Sequence, residues 1–209
     1  MTDLVIKPSN SGGSVKLQTE GGTNGLTMAS TGDLTTSGNV AITGTMTGGA
    51  IGSGVTGTLG SGVIFPTGMV IQVVHGSTST EVGSTNNTYK DTGLTATITP
   101  SSQSNKIAIF MNVNGIQKET GNAYLDLKAV YNVNGGSFTD IAQFGARVGM
   151  TNNSNKNNVG TCAFNHLLSP STTQAVIVKA QFRSAANNSG VGVQEASSTS
   201  TLMLMEIVG

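Results

Sequence analysis

No aromatic residue precedes Phe65 in this 209-residue chain, and that asymmetry decides what each part of it can fold into. All nine aromatics lie between Phe65 and Phe182, whereas residues 1–68 hold 16 of the 29 glycines. From Leu34 to Thr80 no residue carries a formal charge. A segment this poor in large apolar side chains cannot offset the cost of its own ordering. Each fully buried side chain contributes ~1.5–3 kcal/mol, against ~1–2 kcal/mol of backbone entropy per residue fixed. Residues 1–65 are therefore not expected to fold alone. The chain is expected to divide into a Gly/Ser/Thr-rich stem, residues 1–65, and a domain with its own core, residues 66–209.

The stem has a pattern. Gly32, Gly38 and Gly44 recur at intervals of six, each followed two positions later by an apolar residue: Leu34, Val40 and Met46. Ile51-Gly52-Ser53-Gly54-Val55 recurs as Leu59-Gly60-Ser61-Gly62-Val63. Short units of this kind bury an apolar face only by stacking or by pairing with other chains. A fibrous, particle-anchoring stem built with copies of itself is one reading. A flexible linker is the other.

Beyond residue 66 the alternation is that of strands. In Lys106–Val113, Ile107, Ile109, Met111 and Val113 share a face, and in Ala175–Arg183 so do Val176, Val178, Ala180 and Phe182. Tyr124–Tyr131, Met69–His75, Leu94–Thr99, Phe138–Val148, Val159–Leu168 and Thr201–Val208 complete a set of eight, separated by stretches rich in turn formers. The fold class predicted is all-β, with a jelly-roll-like β-sandwich head following the stem; a lipocalin-like closed barrel is the competitor. Thr201–Val208 has two apolar faces, Leu202, Leu204 and Val208 against Met203, Met205 and Ile207. One is expected to enter the sandwich and the other to cover a neighbouring chain or sheet.

Composition narrows the function. Ten basic residues balance ten acidic ones, and charged residues make up only 10% of the chain. Gly, Ser, Thr and Asn stand in their place, which disfavours helices. Ordinary disorder, with its high net charge, is disfavoured as well. Zero net charge removes the electrostatic footprint of a nucleic-acid binder. A single cysteine forms no intrachain disulfide. No stretch approaches the ~20 apolar residues of a membrane span, and Met1–Pro8 lacks the pattern of a signal peptide, which counts against an exported adhesin.

Three stretches carry a family resemblance. Phe65-Pro66-Thr67-Gly68-Met69-Val70-Ile71-Gln72-Val73-Val74 leads through a Ser/Thr-rich loop to Tyr89-Lys90-Asp91-Thr92-Gly93-Leu94-Thr95-Ala96-Thr97-Ile98-Thr99-Pro100, and the chain closes with Ser200-Thr201-Leu202-Met203-Leu204-Met205-Glu206-Ile207. Together with the upstream GDLTTSGNVAITGT stretch, these residues resemble the fibre or structural head domains of virion proteins from marine bacteriophages, notably cyanophages. The resemblance covers most of residues 25–110 and the last ten; residues 111–198 match in character alone. It implies a virion component made in the host bacterial cytoplasm: a homotrimeric tail fibre whose stem binds other virion proteins and whose head meets the host surface. A capsid-decorating fibre is the near alternative, and a bacterial surface adhesin or lectin-like module the distant one.

Enzymatic chemistry is not expected, nor is a cofactor or metal. Cys162 and His166 would share a strand face but stand ~13 Å apart at ~3.3 Å per residue, far beyond the ~2.6–3.2 Å a nucleophile and base require. Glycoside cleavage needs two facing carboxylates ~5–9.5 Å apart, and Glu81, Asp91, Glu119, Asp126, Asp140, Glu195 and Glu206 offer no evident pair. Glu206 shares a face with Leu202 and Leu204 and is expected at an exposed edge.

Receptor contact is expected from loops held on a rigid scaffold. The first candidate is Thr151–Asn158, with Asn152, Asn153, Asn155, Lys156, Asn157 and Asn158; the second is Ala185–Gly190, with Asn187 and Asn188. Asn side chains donate and accept together, which suits sugar hydroxyls, so the partner expected is host surface polysaccharide or protein. Neither loop contains an aromatic to stack on a sugar ring.

Overall fold

The computed structural model describes residues 15–18, 24–28, 34–36, 65–152, 154–186 and 189–209. The chain divides into two compact units, Met1–Leu59 and Gly60–Gly209. In the first, β1 (Val15–Gln18), β2 (Asn24–Met28) and β3 (Leu34–Thr36) form an antiparallel sheet in that order. The glycine spacing did not point to β1 or β2. Most of the repeats that it did mark lie outside the described residues.

The second unit is a β-sandwich of jelly-roll type. Its strands are β4 (Val70–Thr78), β5 (Val82–Ser84), β6 (Lys90–Ile98), β7 (Lys106–Lys118), β8 (Leu125–Val133), β9 (Thr139–Val148), β10 (Asn157–Leu168), β11 (Val176–Ser184), β12 (Val191–Val193) and β13 (Ser200–Ile207). One sheet runs β4-β13-β7-β12-β5, with β10 on the far edge of β7; the other runs β6-β11-β8-β9. Among the described residues no strand is hydrogen-bonded into both sheets, so the closed-barrel alternative is set aside. All eight predicted strands are present. The two that were missed, β5 and β12, are three residues each, too short to show a period.

The core follows from the alternation. Leu94 and Ile98 of β6, Ile107, Ile109 and Met111 of β7, Leu125 and Leu127 of β8, Val176, Val178 and Phe182 of β11, and Leu202 and Leu204 of β13 are all essentially without solvent contact. Each such side chain stabilises by ~1.5–3 kcal/mol. Gly76 lets β4 cross β6 closely, because a Cβ there would meet the Thr95 carbonyl. Gly115, at φ +60, passes the backbone of Glu195 at a distance no side chain could tolerate.

Glu206 corrects an expectation. It is 2% exposed, not at a wet edge. Its Oε1 accepts from the Ser101 N–H (2.6 Å), the Ser101 hydroxyl (2.7 Å) and the Asn105 amide (2.6 Å). Asn105 in turn accepts from the Gly209 N–H (3.2 Å). A carboxylate among apolar neighbours is tolerable only when its lone pairs are filled in this way. Neutral donors from the β6–β7 turn take the place of the water that an exposed edge would supply.

Candidate functional site

Four connecting segments meet at one end of the sandwich. The Ser184 N–H donates to the Asn86 carbonyl (3.0 Å), Ala185 to Tyr124 (3.1 Å), Asn122 to Thr151 (2.8 Å) and Glu119 to Gly190 (2.9 Å). Both loops singled out from the sequence are therefore in the same place, beside the β5–β6 and β7–β8 connections. Lys118 is fully buried beneath them and donates to the Thr151 carbonyl (3.1 Å) and hydroxyl.

The individual residues fare differently. Asn152 and Asn155 are exposed on the β9–β10 connection. Asn157 and Asn158 are not loop residues, and this is a correction. They begin β10, in register with Lys118 and Gln117, and the Asn158 side-chain oxygen accepts from the Gln117 amide (2.8 Å). The run of asparagines concealed the strand start, because Asn is depleted from strands and only the pairing with β7 holds it there. Lys156 stands 3.9 Å from Glu195, which is 7% exposed. Burial pushes the Glu195 carboxyl up from its ordinary range, and neighbouring Glu81 adds to this while Lys156 opposes it. Lys156 is thus the counter-charge of a buried acid as well as a surface cation. Asn153, Asn187 and Asn188 lie outside the described residues.

Beside these loops is a polar cavity of 330 Å³, lined by Asn87, Tyr124, Asp126, Gln143, Arg147 and Arg183. A β-bulge builds it. Leu125 pairs with Val148 and Leu127 with Gly145, so Ala146 and Arg147 together oppose Asp126. Bulges re-aim side chains, and here Arg147 takes a left-handed conformation at φ +53 that an L-residue adopts only under constraint. Its N–H donates to Asp126 Oδ1 (3.0 Å), replacing the ladder bond that the bulge removes. Asp126 Oδ2 accepts from Nε (3.2 Å) and Nη2 (2.9 Å) of Arg183. That hydrogen bond holds the guanidinium above its usual range.

Aromatic rings stand under the cations. The Arg147 guanidinium lies 5.8 Å from the Tyr124 ring centre, and Arg183 and Lys128 lie 4.8 and 4.4 Å from that of Tyr89. Cation–π contact of this kind fixes both partners. Two half-buried tyrosines, two guanidinium groups and two side-chain amides make a surface that can stack on a ring, donate to hydroxyls and meet an anion.

Neither loop contains an aromatic. The aromatics here stand instead just before β6 and β8, brought in by strand pairing. One signal was available: Tyr124 and Asp126 alternate with Leu125 and Leu127, which marks them as outward-facing. The bulge that turns Arg147 toward them left none.

Nucleophilic chemistry has no matching arrangement among the described residues. Cys162 packs beside the core, and burial pushes its thiol up, away from the thiolate that a nucleophile needs. His166 stacks on Phe164, ring centres 5.8 Å apart. No cluster of three or more metal-ligating side chains is present among the described residues.

No family model matches the sequence, and no curated protein matches it. Solved structures that superimpose on it include the Eiger TNF of S. frugiperda, at 9% identity and TM-score 0.42, over 66% of this chain and 93% of that one. The VP2 subviral particle of infectious bursal disease virus superimposes at 11% identity and TM-score 0.44, over 74% of this chain and 37% of that one. The Gx strain of the same virus superimposes at 13% and 0.40, over 74% and 38%. The chain spans little more than a third of the length of the two viral proteins.

Proposed function

We propose that this chain is a non-enzymatic structural component of a virus particle: a homotrimeric phage fibre of the tail, located in the virion and made in the bacterial cytoplasm. In this reading residues 1–65 engage other virion proteins, and the sandwich presents its polar end to host surface polysaccharide. One observation carries the attachment role. Three of the four loops, through Asn87, Tyr124 and Ala185, line a cavity in which Tyr124, Arg147 and Arg183 are held by a bulge and a buried carboxylate, so a ligand meets groups already in place. Preorganisation of that kind is what a binding site gains from a rigid scaffold.

The test separates the cavity from the asparagine loop. Arg147→Gly suits the left-handed backbone and is expected to leave the thermal midpoint within a few degrees of the parent. It should cost at least tenfold in binding to purified bacterial surface polysaccharides, or in adsorption to host cells. A Gly/Ser replacement of residues 152–156 should have the smaller effect. Unchanged binding in both variants would remove attachment from this end and favour a capsid-decorating role.

A further inference from the structure

We infer that the outer face of the sheet formed by β4, β13, β7 and β10 is the surface on which copies of this chain meet. The inference rests on the self-assembly proposed above and names the face responsible.

Two adjacent rows cross all four strands. Val73, Met205, Ala108 and Leu167 are in register in one, and His75, Met203, Phe110 and Asn165 in the next. Between these rows Leu204 and Ile109 fill the core and Val74 packs against it, so on β4, β13 and β7 the rows themselves point outward. Val73 is 55% exposed, Leu167 50% and Phe110 44%. With Val70, they are four of the eight large apolar side chains left exposed among the described residues. Surface apolar residues scattered singly need no explanation, but a contiguous band across four strands does.

Charge selects the occupant. Neither row contains a lysine, arginine or carboxylate, and Lys106 closes the sheet at its lower end. A charged partner surface would lose its hydration here and gain no counter-ion. The same face of a further copy loses little, because it too is largely apolar and its Asn165 can both donate and accept. Around a threefold axis one part of this face meets another part of the same face on the next copy, a heterologous contact that closes.

Size agrees. With the flanking rows counted, Ser77, Thr201, Asn112 and Ala163 on one side and Ile207 and Lys106 on the other, four strands ~4.8 Å apart and seven residues at ~3.3 Å each give roughly 440 Å² in plan per copy. Side-chain relief raises the accessible area above that, so two copies bury about 1,000 Å², where specific interfaces begin. The affinity of such a contact is modest, which suits a face that works with a shared stem rather than alone.

The experiment is the solution mass of the full chain, by light scattering from micromolar to about 100 µM, for the parent and for Phe110→Glu/Leu167→Glu. Both positions are half exposed, so the double variant is expected to keep the parent's circular dichroism. Leu167→Ser is the milder companion should it not. The parent is expected at a multiple of 21.1 kDa and the variants at, or shifted at least tenfold in concentration toward, the single mass. A folded variant that stays oligomeric overturns the assignment of this face and leaves self-assembly standing. A parent that remains a monomer throughout overturns both. A twofold mass that the variant abolishes keeps the face and replaces the threefold stoichiometry.

Discussion

The two outer faces of this sandwich are built from the same kind of strand and prepared for different surroundings. On β6, β11, β8 and β9, Lys179 meets Asp91 at 2.6 Å, Lys128 meets Asp140 at 2.6 Å, and Arg183 meets Asp126 at 2.9 Å. Three of the four ion pairs among the described residues therefore lie on one sheet. Lys179 also covers the exposed ring of Phe138 at 3.7 Å. Across the core, β4, β13, β7 and β10 present valine, methionine, phenylalanine and leucine with no ion pair. A chain only 10% charged has concentrated its charge on one side. The little charge the chain carries is thus unevenly distributed, and the bare side is the one that differs from an ordinary water-facing sheet.

The sharpest break in that comparison lies within a single strand. Leu204→Asp puts an unpaired carboxylate in the core and is expected to cost more than 4 kcal/mol, enough to unfold the domain at room temperature. Met205→Asp, one residue on, is expected to cost the monomer no more than about 1–2 kcal/mol. Denaturant titration of the two variants decides between a one-faced and a two-faced β13. Equal losses would mean that both faces are interior.

The charged face has its own weak point. Asp126→Ala leaves Arg183 and the bulged Arg147 N–H without their acceptor and is expected to destabilise by about 2–4 kcal/mol, reduced from the fully buried case because Arg183 is partly wet. Hydrogen exchange should show the loss first around residues 145–148. A change below about 0.5 kcal/mol would mean that the bulge supports itself.

The smallest effect is expected where the face is wettest. Lys179→Ala removes an ion pair whose acid is half exposed, and with it the cover over Phe138. The expected cost is about 0.5–1 kcal/mol, shrinking as salt is raised from 0.05 to 1 M. A salt-independent loss would assign the contribution to packing on Phe138 instead.

Strand positions were legible because period-two alternation in Leu94–Ile98, Lys106–Val113 and Val176–Phe182 is dictated by a core on one side. What alternation cannot report is pairing. Asn157 and Asn158 read as loop because their own propensities say so, and only β7 overrules them. Glu206 read as exposed because its three donors come from residues about a hundred positions earlier. The polar end was found through its loops, yet its cavity was missed, since Tyr124, Asp126, Arg147 and Arg183 are brought together by register and a bulge.

The strand order also constrains when the domain can form during synthesis. β13 lies between β4 and β7, with Met203 opposite both His75 and Phe110, so each of those pairings spans roughly ninety residues or more. A nascent chain that has emerged through β12 has produced a sheet with its middle missing, and among the described residues β4 has no other hydrogen-bonded neighbour. Local structure cannot be consolidated step by step, as it can in a helical repeat, because the decisive contacts are the most distant ones. Until residue 207 is free, the uncharged strand Val70–Thr78 stays an open edge, the kind that seeks any strand within reach. Folding of the sandwich is thereby postponed until β13 has emerged, and a product that stops short of it keeps that edge open.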